Sequence, residues 1–175
     1  MMNIYHGSNV DFNEFKIIKG NGYLAEGPGV YMTDLESVAK GYGSIIYTVD
    51  LSDTKVSDFT SREYMNQVYG LVSNDINIPL FECIDMDMVI EDILSGEGSI
   101  LESPKELSDL IDANEFLYEK YGCMYDDLCE EIKKSFLNNI GDVIKYKAKD
   151  IEGTIFLCFR NVESIKIIDK KEIER

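Results

Sequence analysis

The two ends of the chain differ in pattern from the segment between them, and this contrast limits the possible folds most strongly. Near the amino terminus, "VYMTD" (30–34) and "SIIYTVDLS" (44–52) show the alternation and the β-branched residues of strands. After Gly141, "DVIKYKA", "TIFLCF" and "SIKII" have the same character. Residues 60–140 instead carry apolar residues at helical spacing. The pattern predicts an α+β protein whose terminal strands pair across a helical middle.

The length of the chain fits one domain, since 175 residues can bury a sizeable core. Neither an internal repeat nor a low-complexity linker interrupts it. We therefore expect a single domain over residues 1–175, with residues 60–140 as a helical insertion within it. The first strand is expected at residues 3–6, and the last six residues, "KKEIER", are expected to fray as a charged tail.

The charge of the chain excludes some partners. Thirty-three acidic and 17 basic residues give a formal net charge of −16. Such a surface repels phosphate backbones, so direct binding to nucleic acid is not expected. Attraction to a basic partner is one interpretation of this charge, and plain solubility is the other.

Other features of composition concern location, thiols and metals. No apolar run approaches the roughly 20 residues that cross a bilayer, and "MMNIYHGS" lacks the marks of a secretion signal. These observations predict a cytoplasmic protein with no membrane partner. The chain has no C-x-x-C pair and a single histidine, which favours free thiols and predicts no metal site. The cysteines are Cys83, Cys123, Cys129 and Cys158.

The single histidine of the chain, His6, stands at the end of the first apolar segment and directly before Gly7. A histidine in this place can point into a cleft, and the glycine allows a ligand to approach the backbone closely. The alternative is a buried histidine that serves only the packing of the core.

A glycine-rich segment leads into the second strand. Gly27 and Gly29 could form a floor on which a flat ligand lies against backbone. Tyr31 on that strand and Tyr42, eleven residues later, could then hold a planar ring by stacking. The alternative is that both tyrosines pack in the core.

A short helix is expected between the two tyrosines. Asp34 is a good helix cap, and Leu35, Val38 and Ala39 are spaced for one helical face. Gly41 and Gly43 would end the helix and release the chain toward the next strand.

Two acidic residues, Asp150 and Glu152, lie at the entry of a late apolar strand. If the strand begins that early, both side chains project from the same side. A carboxylate there could stabilise positive charge on a reacting sugar carbon, as in glycoside cleavage. In a chain with 33 acidic residues, solvated surface is the alternative for this pair.

Taken together, "YHGS", "GPGVYMTDLESVAKGYG" and an acid before a late strand resemble the His-Tyr-Glu branch of the ADP-ribosyltransferases. This branch contains the diphtheria-toxin-like and poly-ADP-ribose-polymerase-like enzymes. In it, a strand carries His-Gly, a glycine-rich segment enters a tyrosine strand, a helix delivers a second tyrosine and a late strand delivers the glutamate. The resemblance implies an ADP-ribosyltransferase fold, with a split two-sheet β core formed by the terminal segments.

The end of the chain carries a narrower likeness. "IGDVIKYKAKDIEGTIFLCFRNVESIKII" is similar to the ending of small bacterial and phage ADP-ribosyltransferases. These include ADP-ribosylating anti-CRISPR proteins, which inactivate a CRISPR surveillance complex by modifying it. The likeness covers the first 50 residues and the last 35, and leaves the middle helices uncovered. It implies a protein target such as a CRISPR surveillance complex, and the acidic surface fits a basic target of the nucleic-acid-binding kind.

The resemblance also implies NAD as the cofactor and assigns roles to particular residues. His6 would hydrogen-bond the hydroxyl of the adenosine-side ribose, with Ser8 assisting at the ribose. The Gly7 backbone would hold the nicotinamide carboxamide, and Tyr31 and Tyr42 would sandwich the ring. The implied cofactor-binding residues are His6, Gly7, Ser8, Gly29, Tyr31 and Tyr42.

The late acid would stabilise the oxocarbenium-like transition state and orient the acceptor. Alignment on the anti-CRISPR-like ending favours Asp150, whereas the polymerase pattern favours Glu152. We expect Asp150 slightly more and retain both as catalytic candidates. Ala39 occupies the position at which the polymerase-like enzymes have a serine for the carboxamide.

The expected activity is NAD-dependent mono-ADP-ribosylation that inactivates a protein target. One alternative is an NAD glycohydrolase or a silent NAD-binding module, because the helix serine is missing. Another alternative is an acidic mimic of DNA that occupies a basic groove, for which charge is the support.

Overall fold

The computed structural model describes residues 2–17, 26–121 and 127–174, and the chain divides into two compact units. One unit, here the sheet unit, comprises residues 1–60 and 141–175; the other, the helical unit, comprises residues 61–140. The predicted α+β class is confirmed. That both units belong to one domain stays a prediction.

The sheet unit contains all the described strands and one short helix. Its elements are β1 (Ile4–Ser8), β2 (Val30–Thr33), α1 (Glu36–Lys40), β3 (Ile45–Asp50), β4 (Val56–Asp58), β5 (Val143–Tyr146), β6 (Ile155–Cys158) and β7 (Lys166–Glu172), with a 3₁₀ turn at Val162–Ser164. Apolar side chains of β1, β2, β3, β5 and β6 form its core, including the fully buried Tyr47 and Cys158.

The described strands form one sheet in the order β4-β5-β6-β2-β1-β3-β7, so the prediction of two separate sheets is wrong. The pairings are antiparallel except for β4 with β5. The reason for continuity is a single pair between β1 and β2, Tyr5 with Thr33, which joins two well-paired halves. On either side of this joint, β3 pairs with β1 at five positions and β6 with β2 at four.

The helical unit is built from helices with recognisable ends. They are α2 (Arg62–Ile76), α3 (Leu80–Cys83), α4 (Met86–Ser95), α5 (Ser103–Asp112), α6 (Glu115–Lys120) and α7 (Leu128–Asn139). Ser61 caps α2 by accepting from the Tyr64 N–H, and Asp85 caps α4 by accepting from Met88. Helices α2 and α5 both pack on α7. The two helices are also joined directly, because the hydroxyl of Tyr69 in α2 donates to Ser103 Oγ in α5 at 2.9 Å.

Two boundaries differ from those expected from the sequence. The first half of the expected charged tail is strand, because Lys170, Lys171 and Glu172 belong to β7 and pair with β3. Strand β1 also continues through His6 to Ser8, since it follows β3 along its whole length.

Within the part of the chain that the structure describes, Cys83, Cys129 and Cys158 are free thiols, and Cys123 lies outside that part. The described residues contain no group of three or more His, Cys, Asp or Glu side chains that could hold a metal. No helix in the described ranges is both long and apolar enough to cross a membrane.

Candidate functional site

A cleft opens in the middle of the sheet, where β1 and β2 part. The two strands pair at Tyr5 and Thr33 and at no further described position. The gap beyond this pair holds a cavity of about 230 Å³. Its lining includes five of the six predicted cofactor-binding residues: His6, Gly7, Gly29, Tyr31 and Tyr42. The structure therefore brings these residues together, and their role in binding a cofactor stays a prediction.

The imidazole of His6 bridges the gap between the two strands. Its Nδ1 lies 2.8 Å from the carbonyl oxygen of Tyr31. Because a carbonyl only accepts, Nδ1 carries the hydrogen in the neutral ring, and Nε2 keeps a lone pair. Burial lowers the pKa of His6 from its ordinary value of 6.5, an effect that the hydrogen bond to Tyr31 partly opposes. At neutral pH, His6 is thus an uncharged side chain with an acceptor at Nε2.

Aromatic rings hold the imidazole in place. Phe15 meets it edge-on with ring centres 5.1 Å apart, and Phe12 lies 5.9 Å away. Phe12 in turn stacks on Tyr47 at 4.3 Å, and Tyr47 is fully buried. This packing fixes the direction of the ring, as a hydrogen-bonding partner for a ligand requires.

Two glycines set the distance between α1 and β1. A Cβ on Gly7 would overlap the carbonyl oxygen of Ala39, and a Cβ on Gly43 would overlap the backbone of Ser8. The backbone on both sides of Tyr42, at Ala39 and at Gly43, therefore packs directly against β1. Neither Gly7 nor Gly43 has room for a side chain. The role of Gly7 that the structure shows is this close packing, which places Tyr42 beside the cleft.

The two tyrosines reach the cavity from different elements. Tyr31 comes from β2 and is partly buried; its hydroxyl donates to the carbonyl oxygen of Gly27. Tyr42 follows α1 and is 53% exposed, so it is not a core residue. Burial, helped by the negative charge of Glu26, raises the pKa of Tyr31, which keeps its hydroxyl protonated.

A second cavity, of about 410 Å³, adjoins the first, because His6 and Gly29 line both. Phe12, Phe15 and Ser8 contribute to its walls. The Ser8 hydroxyl donates to the carbonyl of Val10 and accepts from its N–H, each at 3.0 Å, so its hydrogen is already engaged. Sequence reasoning missed the two phenylalanines, although their spacing in a loop directly after the His-Gly strand was a usable signal.

The predicted acids lie outside the lining of both cavities. Asp150 and Glu152 are exposed in the segment before β6, and that strand begins only at Ile155. The expectation that both project from one side of a strand is therefore wrong. The reason is that Ile155 is the first residue to pair, opposite Thr33 and Tyr146.

The segment with the two acids is nevertheless tied to the end of β2. Thr154 donates its N–H to Asp34 Oδ1 at 2.8 Å, and Asp34 returns its N–H to the Thr154 carbonyl at 3.3 Å. Asp34 is thus not the predicted cap of α1: the N-cap residue is Leu35, and no side chain caps it. Gly153, with φ of 84°, makes the turn that allows this contact.

A buried acid near the cleft was not foreseen. Glu26 is 6% exposed, and its charge acts on both Tyr31 and Tyr146. Burial raises the pKa of Tyr146 well above its ordinary range, and Glu26, Tyr31 and Tyr42 add to this effect. These residues form one electrostatic group around the tyrosine end of the cleft. No motif in the sequence distinguishes Glu26 from the other acids.

No family model matches the sequence, and no curated protein matches it. One solved structure, the crystal structure of an anti-CRISPR protein, is similar at a TM-score of 0.42 with 15% identity, over 97% of this chain and 95% of that chain. A likeness of this size says nothing about function.

Proposed function

We propose that the protein is an NAD-dependent mono-ADP-ribosyltransferase that modifies a protein. The observation that carries this proposal is a neutral, packed His6 between two adjoining cavities, one of which is lined by Tyr31 and Tyr42. The parting of β1 from β2 after a single residue pair supports the proposal in a more limited way, because it opens the space in which these side chains meet.

The chemistry of the two cavities suits the two ends of a dinucleotide. The smaller one has aromatic residues for a planar nicotinamide ring, and the larger one has Phe12 and Phe15 for an adenine. His6 lies at the wall that they share, and its Nε2 can accept from a ribose hydroxyl. Residues of this chain thus suit both rings of NAD and one ribose hydroxyl.

NAD, when bound, would supply the ADP-ribosyl group, whose bond to nicotinamide would be replaced by a bond to a nucleophile of the target. The protein contributes holding and orientation: the tyrosines fix the ring, and His6 fixes the ribose. A carboxylate is needed near the sugar to favour developing positive charge and to accept the proton of the attacking group. We assign this task to the segment before β6, with Asp150 first and Glu152 second.

A second candidate function, NAD hydrolysis without transfer, rests on Ala39. This residue lines the smaller cavity and has no hydroxyl for a carboxamide. The backbone of Gly7, which lines the same cavity, would then serve this purpose, and the ligand would be held by fewer bonds. Looser positioning of the ribose would favour attack by water over attack by a protein.

The target that suits this protein is basic, because the net charge of −16 attracts basic surfaces and repels nucleic acid. A nucleic-acid-binding protein, such as a CRISPR surveillance complex, has a surface of this kind. An ADP-ribosyl group on such a surface would add bulk and negative charge and so oppose binding to phosphates.

The test is to supply NAD labelled on its adenylate part, with and without a bacterial lysate, and to follow both nicotinamide release and labelled protein. We expect one labelled band with the wild type and no label with His6→Ala or Tyr31→Ala. Nicotinamide release without a labelled band would establish the hydrolase. Label that survives both substitutions, or no turnover by the wild type, would overturn the proposal of an NAD-consuming enzyme.

The catalytic acid is tested by three isosteric variants, Asp150→Asn, Glu152→Gln and Glu26→Gln. We expect Asp150→Asn to lower turnover by about 100-fold or more, since loss of a charge that favours the transition state costs this much. Glu152→Gln should have a smaller effect. Because Asp150 and Glu152 are exposed, neither change should alter the melting temperature. If Glu26→Gln alone abolishes turnover in a folded protein, the buried acid carries the chemistry and the assignment to the loop is wrong.

A further inference from the structure

The helical unit carries most of the charge of the protein. Residues 61–140 contain 18 acidic and 5 basic residues, a net charge of −13 out of −16. Some of the few cations are already paired within the unit: Arg62 with Asp87 and Glu91, and Lys105 with Asp109. The surface of this unit is therefore strongly negative.

A broad groove crosses this unit. The α2–α3 groove has a volume of about 1140 Å³ and is lined by α2, the turn after it, α3 and the end of α6. Two apolar side chains in it are exposed, Leu71 at 47% and Phe81 at 45%. Its charged lining residues are Glu82 and Lys120, and the ammonium of Lys120 lies over the ring of Tyr121.

Hydrogen bonds hold one wall of the groove, the turn between α2 and α3, in place. The Ser73 hydroxyl donates to the carbonyl of Ile78 and accepts from the Leu80 N–H, at 2.6 and 3.1 Å. These bonds fasten the turn after α2 to the helix itself. Asn77, with φ of 55°, closes α2 in a left-handed conformation. A preformed groove of this kind binds without a large cost in ordering.

Gly70, in the middle of α2, lines the groove and is not explained by the fold. A Cβ at this position would meet nothing within 4 Å. Glycine within a helix is less favourable than alanine, so stability alone would not place it there. What its missing side chain provides is a place where another backbone can approach α2 closely.

We propose that the α2–α3 groove binds a basic segment of a partner protein, with an apolar side chain against Leu71 and Phe81 and backbone against Gly70. The charge of the unit selects this occupant. A second copy of this chain would bring another strongly negative surface, and nucleic acid would be repelled in the same way. This inference is independent of NAD and of the cleft in the sheet unit.

The probe is a displayed library of random 16-residue peptides, selected on the wild type after depletion on Gly70→Trp. We expect the enriched peptides to carry several lysines or arginines and at least one large apolar residue. Enrichment of acidic or purely polar peptides, or no enrichment over a library selected on an unrelated protein, would overturn the proposal.

The best peptide is then titrated by fluorescence anisotropy against three variants. Gly70→Trp and Leu71→Asn should weaken binding by about tenfold or more, as substitutions at the centre of an interface do. The matched control is Asn138→Trp, at an exposed residue of α7 outside the groove lining, which should change binding by less than about twofold. Equal affinities for the wild type, Gly70→Trp and Leu71→Asn would place the binding site elsewhere and overturn the proposal.

Folding and self-association are checked on the same proteins. Gly70→Ala should raise the melting temperature by about 2–4 °C, because nothing in the fold requires the glycine. A lower melting temperature would show that the glycine serves folding, and the argument for a docking surface would fail. Sedimentation equilibrium measures self-association. If the wild type is a dimer and Gly70→Trp is a monomer, the groove binds a second copy of this chain and the proposal is overturned.

Discussion

The two units place glycine and charge in opposite ways. In the sheet unit, Gly7 and Gly43 are enclosed by backbone, and 15 acidic against 12 basic residues leave a charge of only −3. In the helical unit, Gly70 is open on its outer side, and the charge is −13. Tight backbone packing at Gly7 and Gly43 thus shapes the small cleft, whereas Gly70 leaves a wide groove open in a unit of strongly negative charge.

The cleft and the groove also differ in what they can bind. The cleft holds a positioned histidine and tyrosines beside 230 and 410 Å³ of space, which suits a small molecule. The groove is about 1140 Å³ and runs along α2, the turn after it and α3, which suits an extended or helical protein segment. The two proposals together assign the ligand to the sheet unit and the partner to the helical unit.

The largest effect is expected from Gly7→Ala in the sheet unit. The new Cβ would overlap the Ala39 carbonyl oxygen, a backbone atom that cannot move without displacing α1. We expect a loss of about 3 kcal/mol in the free energy of unfolding and loss of NAD binding. Urea denaturation measures the first and calorimetric titration the second. A variant as stable as the wild type would show that α1 is not held in the way described.

A smaller effect is expected from Tyr69→Phe in the helical unit. The change removes the hydroxyl that donates to Ser103 Oγ at 2.9 Å in a buried site. We expect a loss of about 1 kcal/mol in the free energy of unfolding, as for one buried hydrogen bond. NAD binding should remain at the wild-type level, which makes this variant the control for Gly7→Ala. A parallel loss of NAD binding would contradict the division between the units.

The smallest effect is a pH dependence of stability that comes from His6. Burial lowers its folded-state pKa below 6.5, so the unfolded chain binds a proton more readily than the folded protein. The contribution to stability is complete above 6.5 and is lost as the pH falls through 6.5 toward the folded pKa. His6→Asn should flatten this part of the profile, measured as urea midpoints between about pH 7.5 and 5.5. Parallel profiles for the two proteins would show that His6 is not buried in its neutral form.

The sequence allowed much of the cleft to be predicted because its determinants are local. His6 and Gly7 are neighbours, and Tyr31 and Tyr42 are separated by a strand and a short helix whose lengths follow from nearby residues. The α+β class followed from periodicity in the same way.

The errors concern features that distant residues decide. Asp34 is a residue type that often caps helices. Its carboxylate instead accepts a hydrogen bond from the N–H of Thr154, 120 positions away. The start of β6 depends on its pairing with β2 and β5, which moved Asp150 and Glu152 out of the strand. Strand β4 has only three residues and forms by parallel pairing with β5, so its own sequence carries no sufficient signal. Charged residues in β7 are compatible with a strand because it lies at the edge of the sheet.

The central claim is that the cleft beside His6 binds NAD through the Nε2 lone pair of that side chain. Calorimetric titration of NAD into the wild type and His6→Asn tests it most directly, since the asparagine amide can still donate to the Tyr31 carbonyl but offers no acceptor at the position of Nε2. We predict saturable binding to the wild type and an affinity lower by about tenfold or more in a variant of nearly unchanged melting temperature. Absence of binding to the wild type, or equal affinity in the two proteins, would contradict the account.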